Sequence, residues 1–161
     1  MTSPQYFVEL IPGSSLEFSV FSPKNGYWNL NLQYVVLSSE VFPPEISVEI
    51  NNKLPFLEAE SIPLIQYWQY DTFEYPKNRY GDEVVPSQHV LRNVISYTLE
   101  DSTKIYKYPL WFKLSKGLNN VKITLKSGRI KLVRISFTRP ERTTTYLKST
   151  NVQVNEAFII I

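Results

Sequence analysis

The stretch "GYWNLNLQYVVL", residues 26–37, constrains the fold more than any other part of the chain. Trp28, Leu30, Leu32, Tyr34 and Val36 fall on one parity, while Asn29, Asn31 and Gln33 fall on the other. A helix would scatter these side chains around its surface. A strand sends successive side chains to opposite faces, so the period of two predicts a half-buried strand. The same period returns in "SLEFSV" (Leu16, Phe18, Val20), "EISVEI" (Ile46, Val48, Ile50), "LWFKL" (Leu110, Phe112, Leu114) and "VKITL" (Val121, Ile123, Leu125). Turn chemistry separates these runs: "INNK" after Ile50, "SKGLNN" before Val121, and "KSGR", whose Gly128 predicts a tight hairpin. In "IKLVRISF" the apolar parity changes, from Ile130 and Leu132 to Val133, Ile135 and Phe137, which predicts a bulge or twist between Leu132 and Val133.

Helical patterning is almost absent. "PSQHVLRNVISYTLED" offers Val90, Leu91, Val94 and Ile95 as a short helical face, yet the same letters alternate as a strand from about Asn93, the reading preferred here. Eleven prolines and a surplus of Tyr, Phe, Val, Ile and Thr fit short antiparallel strands better than long helices. The expected fold is an all-β antiparallel sandwich of jelly-roll type with little helix, a single domain over residues 1–161. The interval from about Leu57 to Val90 is poor in strands and too long for a simple hairpin loop. The isoleucines of "NEAFIII" are expected to complete a sheet or to continue into further sequence.

Several function classes are disfavoured at once. A formal charge of +2 and no basic cluster argue against nucleic acid; Lys131, Arg134, Arg139 and Arg142 are spaced like the solvated side of a strand. With no cysteine there is no thiolate nucleophile, disulfide or thiolate metal site, and a single histidine makes zinc unpromising. No apolar run reaches membrane-spanning length, so no membrane insertion is expected.

The chemistry concentrates in "YWQYDTFEYPKNRYGDEVVPSQHV", residues 67–90, which packs six aromatic rings and four carboxylates between Tyr67 and Glu83. His89 is the chain's one histidine, and its neighbour Ser87 is too close in sequence for triad geometry. Glu58, Glu60, Asp71, Glu74, Asp82, Glu83 and Asp101 are numerous enough to supply a hydrolytic carboxylate pair, but nothing in their spacing selects one. Asp71, Asp82, Glu83 and backbone carbonyls could hold a structural calcium, although the spacing matches no EF-hand loop. No other cofactor is called for. A sugar presents a polar rim and apolar C–H faces, and a flat ring beside carboxylates and amides suits it. Trp68, Tyr70 and Tyr80 are therefore the candidate stacking rings, and Asp71, Asp82 and Gln88 the candidate hydroxyl readers. The competing reading has the same rings covering a core edge.

Taken in order, "GYWNLNLQYVVL", "EISVEINNKLPFLEAESIPLIQYW" and "KYPLWFKLSKGLNNVKITL" resemble galactose-binding-like jelly-roll modules. Phe112, Leu114, Gly117, Asn119, Val121 and Ile123 match their "F.L..G.N.I.L" run, and Leu125 continues its alternation. "YDTFEYPKNRYGDEVVPSQ" is similar to the "D..GNE..P.Q" signature of the β-sandwich module within extracellular solute-binding lipoproteins of carbohydrate ABC transporters. Gly81, Glu83, Pro86 and Gln88 fit that signature, and Asp82 stands where it has asparagine. The resemblance spans roughly residues 10 to 137. It implies a non-catalytic module of a bacterial surface or secreted protein, excised from a longer chain, whose partners are an oligosaccharide or polysaccharide or the parent's other domains. A structural or protein-interaction module and a small carbohydrate-active enzyme are the alternatives.

Overall fold

A computed structural model describes residues 7–105 and 108–140, together with the backbone of Ile159–Ile160. The strands run in chain order as β1 (Val8–Leu10), β2 (Ser15–Ser22), β3 (Gly26–Val36), β4 (Glu45–Ile50), β5 (Ile62–Pro63) and β6 (Trp68–Tyr70). They continue as β7 (Gln88–Val90), β8 (Ile95–Thr98), β9 (Trp111–Leu114), β10 (Gly117–Ser127), β11 (Ile130–Thr138) and β12 (Ile159–Ile160). One short 3-10 turn, Leu57–Glu60, follows β4.

Two antiparallel sheets result, as the alternation predicts for an all-β sandwich. In the first, β3 pairs along one edge with β11, which pairs with β1. The other edge of β3 is shared end to end by β9, opposite residues 26–29, and β8, opposite residues 31–34. In the second, β10 lies between β2 and β4, with β12 beyond β2 and β5 beyond β4. The backbone of Ile159–Ile160 thus caps the outer edge of β2, the sheet-completing outcome expected of that apolar run. Pro63 sits on the opposite edge, where a missing N–H breaks no interior ladder.

The inward parity of β3 (Trp28, Leu30, Leu32, Tyr34, Val36) is buried, as are Ile46, Val48 and Ile50 of β4 and Val121, Ile123 and Leu125 of β10. Each such side chain contributes about 1.5–3 kcal/mol of burial, offset by the entropy lost in ordering the chain. The parity change in β11 is a bulge: Leu132 lies opposite Tyr34 and Arg134 opposite Gln33, leaving Val133 as the extra residue. The bulge lets Ile130 and Leu132 before it, and Phe137 after it, all reach the core.

"KSGR" is not a hairpin. β10 and β11 belong to different sheets, so this turn is a corner that carries the chain across the sandwich. Gly128 makes the corner with φ +79, and a Cβ there would stand 2.8 Å from the Pro44 side chain. The preceding corner, β9 to β10, is closed by Asn119, which is 1% exposed. Its Oδ1 accepts from the Ser115 N–H (2.9 Å) and from Asn51 Nδ2 (3.1 Å), while its Nδ2 donates to the Ser115 carbonyl (2.7 Å). The asparagine of the "G.N" run is therefore a structural brace. Asn51 and Asn52, with φ of 52 and 62, form the tight turn expected of "INNK".

Residues 1–6 and Arg142 lie outside the described residues. No described helix is long and apolar enough to cross a membrane.

Candidate functional site

β5 ends one sheet and β8 ends the other, and the chain leaves and re-enters the sandwich between them. Backbone hydrogen bonds fasten this doorway: the Leu64 N–H donates to the Pro44 carbonyl (2.7 Å) and the Leu91 N–H to the Tyr67 carbonyl (2.7 Å). The Tyr34 hydroxyl, reaching out of the core, donates to the Ile65 carbonyl at 2.7 Å. Gln66 Nε2 donates to the carbonyls of Glu40 (3.1 Å) and Val41 (2.9 Å), tying the exit to the loop after β3.

A cleft of about 370 Å³ opens here. Val41, Ile65 and Trp68 supply apolar surface; Gln66, Tyr97, Asp101, Ser102 and Lys104 bring amide, phenol, carboxylate, hydroxyl and ammonium groups. Asp101 is 3% exposed and accepts from the Thr103 backbone N–H (3.3 Å) and hydroxyl. Lys104 closes that turn with φ 52, a conformation a non-glycine residue holds only when its surroundings enforce it. Burial, reinforced by the Glu100 carboxylate, raises the Tyr97 phenol above its ordinary range.

Burial, with the Tyr97 phenol nearby, also pushes Tyr34 well above the ordinary value of 10. Unfolded tyrosines ionise from about pH 10 while native Tyr34 keeps its proton, so stability is unaffected below that pH and falls as pH rises above it. Tyr34→Phe is expected to cost about 1–2 kcal/mol at neutral pH, by leaving the Ile65 carbonyl unpaired. It should also flatten the alkaline decline by up to about 1.4 kcal/mol per pH unit. Urea unfolding across an alkaline pH series measures both, and an unchanged slope in the variant contradicts the assignment.

Beyond the doorway the chain forms a two-stranded ribbon. β6 pairs with β7 in the register Trp68–Val90, Gln69–His89 and Tyr70–Gln88. Trp68, Tyr70 and Gln88 therefore share one ribbon face. Asp71 belongs to the other face, where its Oδ1 meets His89 Nδ1 at 2.6 Å. Both partners are about half exposed, so this pair staples the ribbon with under about 1 kcal/mol. Among the described residues no hydroxyl is bonded to His89, and the pair is no triad.

Tyr80 and Asp82 sit on a separate small hairpin closed by a Lys77–Glu83 bridge. Asn78 organises it, accepting from the backbone N–H of Tyr80 (2.9 Å) and Asp82 (3.0 Å) and donating to Asp82 Oδ2 (3.1 Å). Arg79 lies 4.5 Å from the Tyr80 ring centre. One oxygen of Asp82 thus helps brace its own turn. The six sequence candidates divide into Trp68, Tyr70 and Gln88 on one ribbon face, Asp71 on the other, and Tyr80 and Asp82 at the hairpin.

None of these rings is buried within the core, though Trp68 lies opposite the core residue Val90. Trp68 is 39% exposed and Tyr80 72%, and every residue from 67 to 85 is exposed. Among the described residues no three acidic or histidine side chains converge on a metal site, so Asp71, Asp82 and Glu83 do not assemble the carboxylate set a calcium would use. Tyr97, Ser102 and Lys104 carry no sequence signal as candidates, because only the approach of the two sheet edges brings them to Trp68. The chain matches no protein-family model, no curated protein and no solved structure.

Proposed function

We propose that this chain is a non-catalytic carbohydrate-binding β-sandwich module of a bacterial surface or secreted protein. The observation that carries the reading is Trp68, a partly exposed ring at a cleft that also holds an amide, a phenol, a carboxylate, a hydroxyl and an ammonium group. An apolar ring beside convergent polar groups meets the two chemical faces of a pyranose. The resemblance of "RYGDEVVPSQ" to the module of carbohydrate-transporter lipoproteins supports the same class and an extracellular or cell-surface location.

Titration against an oligosaccharide panel, followed by tryptophan fluorescence and calorimetry, is expected to show micromolar to millimolar binding. Trp68→Ala should weaken it by at least about tenfold, roughly 1.4 kcal/mol, at unchanged melting temperature. Flat titrations across the panel would sink the proposal. One observation favours a second reading, contact with other domains of a parent protein: Phe73 (92%), Tyr75 (55%) and Val85 (67%) stand exposed on the arm between β6 and β7, residues 71–87, without lining the cleft. That reading predicts no glycan binding, and protection of the arm from hydrogen exchange in the longer protein.

A further inference from the structure

The outward face of the first sheet lies on the side of β8 away from the cleft. Tyr97 turns toward the cleft, whereas Ser96 and Thr98, at the alternate parity, turn outward. Strand register builds the outward face in rows across three strands. Lys113 and Tyr27 make the first row, and Trp111, Asn29 and Thr138 the second. Thr98, Asn31 and Ser136 make the third, and Ser96, Gln33 and Arg134 the fourth. From Tyr27 to Gln33 the rows extend roughly 20 Å, at about 3.4 Å per residue, long enough for several linked sugar rings.

Tyr27 is 54% exposed and Trp111 48%, with ring centres 6.1 Å apart and planes tilted by 43°. At this parity every other side chain of β3 from Asn29 to Gln33 is an amide, so the two rings do no work for the core. They form an open aromatic platform at the head of a polar strip. The strip is ordered before any ligand arrives: Asn31 Oδ1 accepts from the Thr98 hydroxyl (2.5 Å) and Asn31 Nδ2 donates to the Thr138 hydroxyl (2.9 Å). One carboxamide thereby bridges three strands. Beside it, Asn29 is 8% exposed, and among the described residues its Oδ1 has no donor. A buried carbonyl without a partner among the described residues, next to a half-exposed indole, has its acceptor capacity unused.

We propose that this face binds an extended neutral oligosaccharide. Tyr27 and Trp111 stack on one sugar ring, and a hydroxyl of that ring reaches Asn29 Oδ1 as the Trp111 indole turns onto the sugar. Gln33 and the Ser and Thr hydroxyls of rows two to four read the sugars that follow. Neutral chemistry follows from the lining: the rows contain no carboxylate, and their two cations, Lys113 and Arg134, stand at opposite ends rather than in the stripe an anionic polymer needs. The inference stands apart from the cleft, which lies on the other side of β8.

The three tryptophans make the test direct, because Trp28 is buried in the core while Trp68 and Trp111 report the cleft and the face. Indole N–H resonances of the full chain are followed by NMR during titration with cellohexaose, xylohexaose, mannohexaose and hexagalacturonate. A neutral hexasaccharide is expected to shift Trp111 and leave Trp28 unmoved. Trp111→Ala and Tyr27→Ala should each weaken that binding at least about tenfold, without lowering the melting temperature, while Trp68→Ala leaves the Trp111 midpoint unchanged. If Trp111→Ala melts early, Tyr27→Ala alone decides. Shifts confined to Trp68, no shift at Trp111 with any neutral hexasaccharide, or binding to hexagalacturonate alone that vanishes at high salt would each overturn the proposal.

Discussion

Gly128→Ala is expected to lower stability by about 2–5 kcal/mol, the sum of two separable costs. The first is conformational: φ +79 is open to glycine and costs an L side chain about 1–2 kcal/mol. The second is steric, because the new Cβ meets Pro44 Cβ at 2.8 Å, Cγ at 2.9 Å and Cα at 3.0 Å. A proline ring on a fixed backbone has no flexible end to move aside, so overpacking adds about 1–3 kcal/mol. Gly13 provides the control: its φ is +85, but nothing lies within 4 Å of the site where a Cβ would be. Gly13→Ala should therefore show the conformational cost alone. Urea unfolding of both variants separates the two terms. Equal losses would mean that the Gly128 corner is not held against Pro44.

Phe112→Ala should be comparably severe, at about 3–5 kcal/mol. Phe112 is fully buried, lies opposite Trp28 in the β3–β9 register, and packs on Phe56 with ring centres 5.2 Å apart. Truncation removes the transfer energy of the ring and leaves a cavity that two other large aromatics cannot close. Against a typical total of about 5–15 kcal/mol, such a loss brings a domain close to unfolding. Phe112→Leu should recover much of it. The adjacent Trp111→Ala should cost far less than Phe112→Ala, since that ring lies half exposed on the outward face. A large loss from Trp111→Ala in the same urea series would show that the indole is part of the scaffold.

The contrast between Phe112 and Trp111 shows how far the letters alone could be read. Parity identified Leu110, Phe112 and Leu114 as core, and parity also located the bulge at Val133. Trp111 and Tyr27 carried a readable signal of another kind, as aromatics at positions where alternation calls for polar residues. The dense segment from Tyr67 to Val90 drew attention by composition instead, and its six candidates fold into three separate places. Trp68, Tyr70 and Gln88 meet because the ribbon register aligns them. Asp71 is one residue out of phase, and Asp82 sits on the turn that Asn78 organises.

What sequence determined by itself is local: which residues form strands, which side of each strand faces inward, where turns fall and where a bulge must absorb a change of parity. These depend on backbone pleating and on turn conformations set by neighbouring residues. Only the tertiary structure decided which strands become neighbours. "KSGR" reads as a hairpin because the letters encode a sharp reversal, and a reversal looks the same whether the chain returns to its own sheet or crosses to the other. The choice falls to long-range burial, which pairs β11 with β3 and β10 with β2 and β4. The same pairing brings Tyr97 and Lys104 to Trp68, and lays Asn29, Trp111 and Thr138 in one row. Sites made of residues distant in sequence exist only once the apolar faces have found each other, because the free energy that unites them is the burial of the core.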